Sequence, residues 1–143
     1  MPLIDRKSET EVIRGYYPEA VELILDRLGD TLHKYHEERH KGRFPIETLR
    51  ERVHDVLACA EPTTVITFDK ITEKIHSYTV IYDTFDIHHG SIPTIGWTIT
   101  DGVDVAQHHR RVIDVIKDSG ATHYVRAKHL GDGSYRVIYK EIQ

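Results

Sequence analysis

Two histidines lie one helical turn apart in the segment at residues 36–40, which reads His-Glu-Glu-Arg-His. This H-E-x-x-H spacing lets zinc proteases place two imidazoles on one metal ion and a glutamate beside the metal-bound water. His33 lies one turn earlier, on the same flank of a helix. The spacing therefore indicates a site for a divalent metal such as zinc, with His33, His36 and His40 as ligands and Glu37 as the base of a metal-dependent hydrolase.

The same residues also fit a solvated flank of a surface helix. The helix that carries H-E-x-x-H in proteases lies in a dry core, where the charges of Glu38, Arg39 and Lys41 would be costly. Eleven histidines in 143 residues also make a chance match easier. We therefore keep the metal-dependent hydrolase as an alternative and expect a polar flank.

A second candidate site lies near the C-terminus. Asp132-Gly133 between two runs rich in β-branched and aromatic residues predicts a β-hairpin, and pairing Gly131 with Ser134 would set its register. This register places three tyrosines and two cations on one face, namely Tyr124, Arg126, Lys128, Tyr135 and Tyr139. Aromatic rings can stack on bases while Arg and Lys bind phosphates, and Arg110 and Arg111 on the preceding helix could add phosphate contacts.

This face predicts a small, non-catalytic binding protein for a compact anionic ligand, such as a nucleotide or a short oligonucleotide. The formal net charge of −4 argues against long duplex DNA as a partner. The alternatives are the metal-dependent hydrolase and a protein–protein interaction or inhibitor module without a small ligand. Cys59, the one cysteine, lies in an apolar run and is expected to be a buried, inert thiol.

Two helices are expected to position the histidines. Apolar residues at spacings of 4, 3, 4 and 3 from Val21 to Tyr35 predict one helix over residues 18–42, with Gly29 inside it. A second stripe predicts a helix over residues 45–60 that packs antiparallel to the first. The capping-box spacing of residues 8–11 predicts a further, short helix start.

The second half of the chain is rich in Val, Ile, Thr and Tyr and predicts strands over residues 65–68, 75–87, 94–100, 123–130 and 135–142. A helix with its cap at Asp101 is expected between the last three, with Val105, His109, Val112 and Ile116 on its apolar stripe. The predicted fold is α+β, with an N-terminal antiparallel helix pair, an antiparallel sheet of four or five strands and one further helix. We expect a single domain over residues 1–143, with a helical part at 1–61 and a sheet part at 62–143.

The composition suits a soluble globular protein, since 39% of the residues are hydrophobic and 29% are charged. The sequence contains no apolar run of membrane-spanning length and no secretory pattern, so we expect a cytoplasmic protein without a membrane partner. Its aromatic residues (8 Tyr, 3 Phe and 1 Trp) fall largely in the sheet half, which favours a homo-oligomer.

Overall fold

The computed structural model describes residues 7–40, 42–129 and 135–142. The elements are β1 (Ser8–Arg14), α1 (Pro18–Leu28), α2 (Asp30–His40), α3 (Ile46–Cys59), β2 (Thr63–Asp69), β3 (Ile75–Asp86), β4 (Gly90–Thr100), α4 (Val105–Asp118), β5 (His123–His129) and β6 (Tyr135–Glu141). The predicted α+β fold is confirmed, with helices α1 to α3 leading into the sheet and α4 as the further helix. The sheet has six strands rather than four or five, and it is mixed rather than antiparallel, because β4 and β5 run parallel.

The strands form one mixed sheet in the order β1-β2-β3-β4-β5-β6. Neighbouring strands are antiparallel except β4 and β5, which run parallel and are connected through α4. A parallel pair needs such a crossover because the chain must return to the same end of the sheet. Within the described residues, β4 and β5 pair at two positions, Thr94 with Val125 and Ile95 with Arg126.

Each face of the sheet carries its own hydrophobic core. Helices α1, α2 and α3 cover one face, where Leu25, Leu28 and Leu57 are almost fully buried with Tyr78 of β3. Helix α4 covers the other face, where its buried residues pack against Val65 of β2 and against β5. Burial of aliphatic side chains on both faces stabilises the sheet as the middle layer of the fold.

The predicted helix over residues 18–42 is divided at Gly29, so the prediction of one continuous helix is wrong. Gly29 has a φ of 55° and a ψ of −127°, a conformation that glycine adopts readily but that ends the α-helical hydrogen-bond pattern. The division changes what the two halves cover, because α1 packs over β3 whereas α2 packs over β4.

The helix start predicted at residues 8–11 is also wrong, because these residues lie in β1. Ser8 is buried and the strand pairs antiparallel with β2 over its whole length. The β-branched Val12 and Ile13 that follow the capping-box residues suit a strand, and pairing with β2 overrides the local helix signal.

The hairpin strands are confirmed to within a residue, but their predicted register is wrong by one. His129 pairs with Tyr135 and Val125 pairs with Tyr139, whereas the prediction placed Arg126 opposite Tyr139. The predicted turn at residues 131–134 lies outside the described residues. Because side chains alternate along a strand, this one-residue shift moves Tyr139 to the face opposite Tyr124, Arg126 and Lys128.

Helix α4 begins later than predicted, and its buried stripe differs in part from the prediction. It starts at Val105 after Asp104, whose φ is 51°, and not at a cap on Asp101. Its buried residues include His108, whereas His109, expected on the apolar stripe, is exposed. The prediction for Cys59 is wrong too, because its thiol lies in the last turn of α3 and is exposed. No helix in the described part of the chain is long and apolar enough to cross a membrane.

Candidate functional site

Strands β4 and β5 separate at Gly96, and a cleft opens there. Val80 pairs with Trp97 and Ile81 pairs with Ile95, so Gly96 is an extra residue that forms a β-bulge. A Cβ atom at Gly96 would lie 2.4 Å from Cε1 of Tyr82, closer than packed atoms come. Glycine is therefore required where the backbone of β4 passes the Tyr82 ring. Pairing with β5 ends at the residue before the bulge.

The cleft has a volume of about 240 Å³ and reaches both faces of the sheet. Val105, His108, His109 and Val112 line it from α4 on one face. Tyr35 and Arg39 line it from α2 on the other face. The helix break at Gly29 allows Tyr35 and Arg39 to reach the cleft. Helix α1 lies over β3, and the change of direction at Gly29 places α2 over β4. We call this feature the β4–β5 cleft.

The polar lining of the β4–β5 cleft is one-sided in charge. Arg39 and Arg126 supply its positive charge beside the imidazoles of His108 and His109, and none of the described lining residues is an Asp or Glu. Nε of Arg126 is buried and has no hydrogen-bond partner among the described residues. A buried donor without a partner costs about 1–3 kcal/mol, so this group favours a ligand that supplies an acceptor.

Arg39 is held over an aromatic ring at the α2 side of the cleft. Its guanidinium carbon lies 5.1 Å from the centre of the Tyr35 ring, within the range of a cation–π contact. Burial raises the pKa of Tyr35, so its phenol stays neutral near pH 7. The pair thus presents a positive charge backed by a neutral ring, an arrangement suited to an anionic or planar group.

His108 lies at the floor of the cleft and is almost fully buried. Its two ring nitrogens bond the hydroxyls of Thr67 and Thr79, each at 2.7 Å. Burial, together with the neighbouring positive charge of His109, lowers the pKa of His108 to about 4. The imidazole is therefore neutral at physiological pH, with one nitrogen donating and the other accepting.

A second groove of about 390 Å³ adjoins the β4–β5 cleft and shares Tyr35, Arg39 and Thr98 with it. Its lining is mixed in charge, because Lys34 and Arg39 lie there together with Asp30, Glu38 and Asp101. The two spaces therefore differ in chemistry, one cationic and one with several carboxylates, although they meet at the same three residues.

The residues predicted to form one binding surface are dispersed in the structure. Arg126 lines the β4–β5 cleft, whereas Tyr124 is buried against α4. Lys128 is exposed on β5, and Arg110 and Arg111 are exposed on α4 away from the residues that line the cleft. The structure thus brings Arg126 to the cleft and leaves the other cations at the surface.

Of the two remaining predicted tyrosines, Tyr139 lies on the opposite face, since it pairs with Val125. The Tyr139 hydroxyl donates to Asp86 at 2.9 Å, and its ring stacks on His89 at 5.6 Å. Hydrogen bonds from the backbone N–H of His88 and from Tyr139 lower the pKa of Asp86 to about 2. Tyr139 therefore connects β6 to the end of β3, while the side chain of Tyr135 lies outside the described part of the chain.

Two of the three histidines predicted as metal ligands lie together, because the ring centres of His36 and His40 are 5.3 Å apart and both rings pack against Phe44. His33 is exposed, whereas His36 is buried and its Nε2 donates to the Phe44 carbonyl at 2.7 Å. The ring of His40 packs 4.5 Å from the Phe44 ring. Among the described residues, no group of three or more His, Cys, Asp or Glu side chains is placed to hold a metal ion. The zinc site stays a prediction for which this arrangement supplies no ligand set.

The sequence analysis missed most residues of the β4–β5 cleft. An isolated glycine inside a strand pattern is a known signal of a bulge or close approach, and Gly96 carries that signal. The sequence pattern presents Arg39 only as one of the charges in the histidine-rich segment, and it predicts His109 rather than His108 on the apolar stripe of α4. These three residues come from separate elements, α2, β4 and α4, and their convergence depends on the tertiary fold.

Comparisons with known proteins give a fold and no family. No protein-family model matches the sequence, and no curated protein is significantly similar to it. Solved structures do match, among them one described as "Putative acetyl transferase from Pyrococcus furiosus", with a TM-score of 0.60 and 18% sequence identity. The similarity covers 87% of this chain and 85% of that chain. At this identity, the chain shares a fold with that protein, and the likeness shows the fold alone.

Proposed function

We propose that the protein binds a compact, nucleotide-bearing anionic ligand in the β4–β5 cleft. The observation that carries the proposal is the one-sided lining, with Arg39 and Arg126 present and no described carboxylate. In a chain with a formal net charge of −4, such a local excess of positive charge favours an anion at this place. The guanidinium group suits phosphate and carboxylate oxygens, which accept two parallel hydrogen bonds from it.

The size of the cleft limits how the ligand lies. A volume of about 240 Å³ takes a narrow arm or one ring of the ligand, while the remainder lies at the mouth. The rings of Tyr35 and Trp97 supply flat apolar surface inside. Arg39 and Arg126 supply the donors, and the buried Nε of Arg126 gains the acceptor that it lacks in the unliganded protein.

Replacing Arg126 with alanine should weaken binding of acetyl-coenzyme A and of ATP by at least about tenfold, because a charge-assisted hydrogen bond contributes about 1.5–3 kcal/mol. Isothermal titration calorimetry at low salt measures the change, and Arg39→Ala is expected to act in the same direction. Arg111→Ala is the matched control, since this cation is exposed on α4 outside the cleft. Equal affinities for wild type and Arg126→Ala, or no binding of either probe to wild type, would contradict the proposal.

A second candidate function is transfer of an acetyl group, and the two adjoining spaces favour it. A transfer reaction needs donor and acceptor in contact, and the β4–β5 cleft and the second groove meet at Tyr35, Arg39 and Thr98. The likeness to a protein described as a putative acetyl transferase agrees with this use of the fold. Asp30, Glu38 and Asp101 in the groove suit a cationic amine as acceptor.

In this reaction one amine of the acceptor first gives its ammonium proton to solvent, and its nitrogen lone pair then bonds to the acetyl carbon as the bond from that carbon to the thioester sulfur breaks. The nitrogen loses a second proton to form the amide, and the leaving thiolate takes up one proton to become the thiol. We expect acetyl-coenzyme A mixed with spermidine to release free thiol faster with the protein than without it. Glu38→Gln should slow the release several-fold, whereas Glu37→Gln, exposed on the same helix but outside the groove, should not. If the protein binds acetyl-coenzyme A but does not accelerate thiol release, the result supports the proposed binding function and contradicts the transferase.

A further inference from the structure

A continuous line of hydrogen bonds crosses the sheet beneath α4 and ends in the β4–β5 cleft. Gln107 donates its side-chain amide to Thr10 of β1, and Thr10 lies 3.1 Å from the hydroxyl of Thr67 in β2. His108 bridges Thr67 to Thr79 of β3, and the Thr79 hydroxyl lies 3.0 Å from that of Thr98 in β4. Thr98 is exposed and lines the cleft.

The tautomer of the neutral imidazole, that is, which ring nitrogen carries the proton, fixes the direction of the hydrogen bonds between the hydroxyls in this line. Neutral His108 has one N–H donor and one bare nitrogen, so one threonine must accept and the other must donate. If Nε2 carries the proton, Thr79 accepts from it and donates to Thr98, and the Thr98 proton points to the cleft. If Nδ1 carries it, Thr79 donates to Nε2 and accepts from Thr98, which then offers the cleft only lone pairs.

The other end of the line selects between the two states. Thr10 accepts from the Gln107 amide. With the proton on Nε2 of His108, Thr10 donates to Thr67 and Thr67 donates to Nδ1, so each hydroxyl in the line both donates and accepts. With the proton on Nδ1, Thr67 donates to Thr10, and the structure shows no further acceptor for the Thr10 proton among the described residues. Thr10 is half-buried, and the arrangement in which every hydroxyl of the line has its partner within the protein is favoured over one that leaves the Thr10 proton to solvent.

We propose that His108 carries its proton on Nε2 and thereby fixes Thr98 as a hydrogen-bond donor to a ligand oxygen in the β4–β5 cleft. His108 is a positioning residue, since it acts on the ligand through Thr79 and Thr98. The cleft would then prefer a ligand with a carbonyl or phosphate oxygen at this place over one with an N–H or O–H donor. The ligand part of this inference rests on the proposed function, whereas the position of the proton does not.

The proton position can be measured in the unliganded protein by two-bond ¹H–¹⁵N NMR of labelled histidine at pH 7. Wild type is expected to show His108 protonated on Nε2. Thr79→Val removes the acceptor of Nε2–H and should move the proton to Nδ1, where Thr67 can accept. Thr67→Val is the matched control, because it removes a donor and should leave the proton on Nε2. A wild-type protein protonated on Nδ1, or the same response in both variants, overturns the proposal.

The donor role of Thr98 is tested by calorimetric titration with acetyl-coenzyme A, which carries several acceptor oxygens. Thr98→Val should weaken binding about tenfold, and Thr98→Ser, which keeps the hydroxyl, should restore most of the affinity. Equal affinity for wild type and Thr98→Val overturns the donor role. If wild type does not bind the probe, the proposed function fails and the ligand preference fails with it, while the NMR result still decides the proton position.

Discussion

Gly96→Ala is expected to destabilise the protein by about 1–3 kcal/mol, the range typical of an overpacked site. It should also weaken ligand binding in the β4–β5 cleft. The added Cβ would lie 2.4 Å from Cε1 of the Tyr82 ring and 3.3 Å from its hydroxyl oxygen. The ring is half-buried and packs against the core under α1 to α3, so it can move only by disturbing that core or the bulge. Moving the bulge shifts Trp97 and Thr98, which line the cleft.

A double-mutant cycle identifies the cause. Urea unfolding gives the free energy of unfolding for wild type, Gly96→Ala, Tyr82→Ala and the double variant. If the close approach to Tyr82 is the cause, Gly96→Ala should cost much less in the Tyr82→Ala background, because no ring remains to clash. The same cost in both backgrounds would assign the effect to the backbone of the bulge and contradict this account.

Acidification from pH 7 to pH 5 is expected to remove about 2 kcal/mol of stability through His108 alone. Its pKa is about 4 in the folded protein and about 6.5 in an unfolded chain. Between these values the unfolded state binds more protons, so the free energy of unfolding rises with pH. The stability that depends on neutral His108 is therefore fully present above about pH 6.5, and it is lost as the pH falls toward 4.

His108→Gln supplies the comparison, because glutamine keeps an amide donor and acceptor but does not titrate. Urea unfolding at pH 7 and pH 5 should show wild type losing about 2 kcal/mol more than His108→Gln over this interval. The difference between the two proteins removes the contribution of the other histidines, which both proteins share. An equal pH dependence would mean that His108 is not held neutral by burial beneath α4.

The elements with a strong, local pattern were predictable from the sequence. The apolar stripe of α3 buries one helix face, as its periodicity predicts. The runs of β-branched residues in β2 and β3 suit strands whose two faces are both buried. The errors arose where one residue decides the outcome. Gly29 ends a helix through its ψ value, which the identity of the residue permits but does not impose. The hairpin register depends on its connection, and one residue there exchanges the two faces of β6.

The candidate site was predictable only in part, through Arg126. Val112 and Ile116 are buried on α4 as predicted, but the buried stripe continues through His108 and Val115 instead of Val105 and His109. His108 and His109 lie about 100° apart around the helix axis, and the periodicity of the helix alone did not fix which of them faces the sheet. The cleft itself exists because the pairing between β4 and β5 ends just before Gly96, where the two strands separate. Arg39 reaches it from an element far away in the chain, so the set of lining residues follows from tertiary packing.

The short pairing between β4 and β5 also means that the β5–β6 hairpin is attached to the sheet less firmly than strands β1 to β4 are attached to one another. Strands β1 to β4 are joined along long antiparallel ladders, whereas the described part of β5 joins β4 at two register positions. The bond from Tyr139 to Asp86 and the packing of Tyr124 under α4 supply further attachment. We expect local opening of the β5–β6 hairpin to cost less than opening of strands β1 to β4, and such opening would widen the cleft while these four strands stay paired. Ligand entry could then proceed through a partial unfolding of one edge, without a dedicated lid.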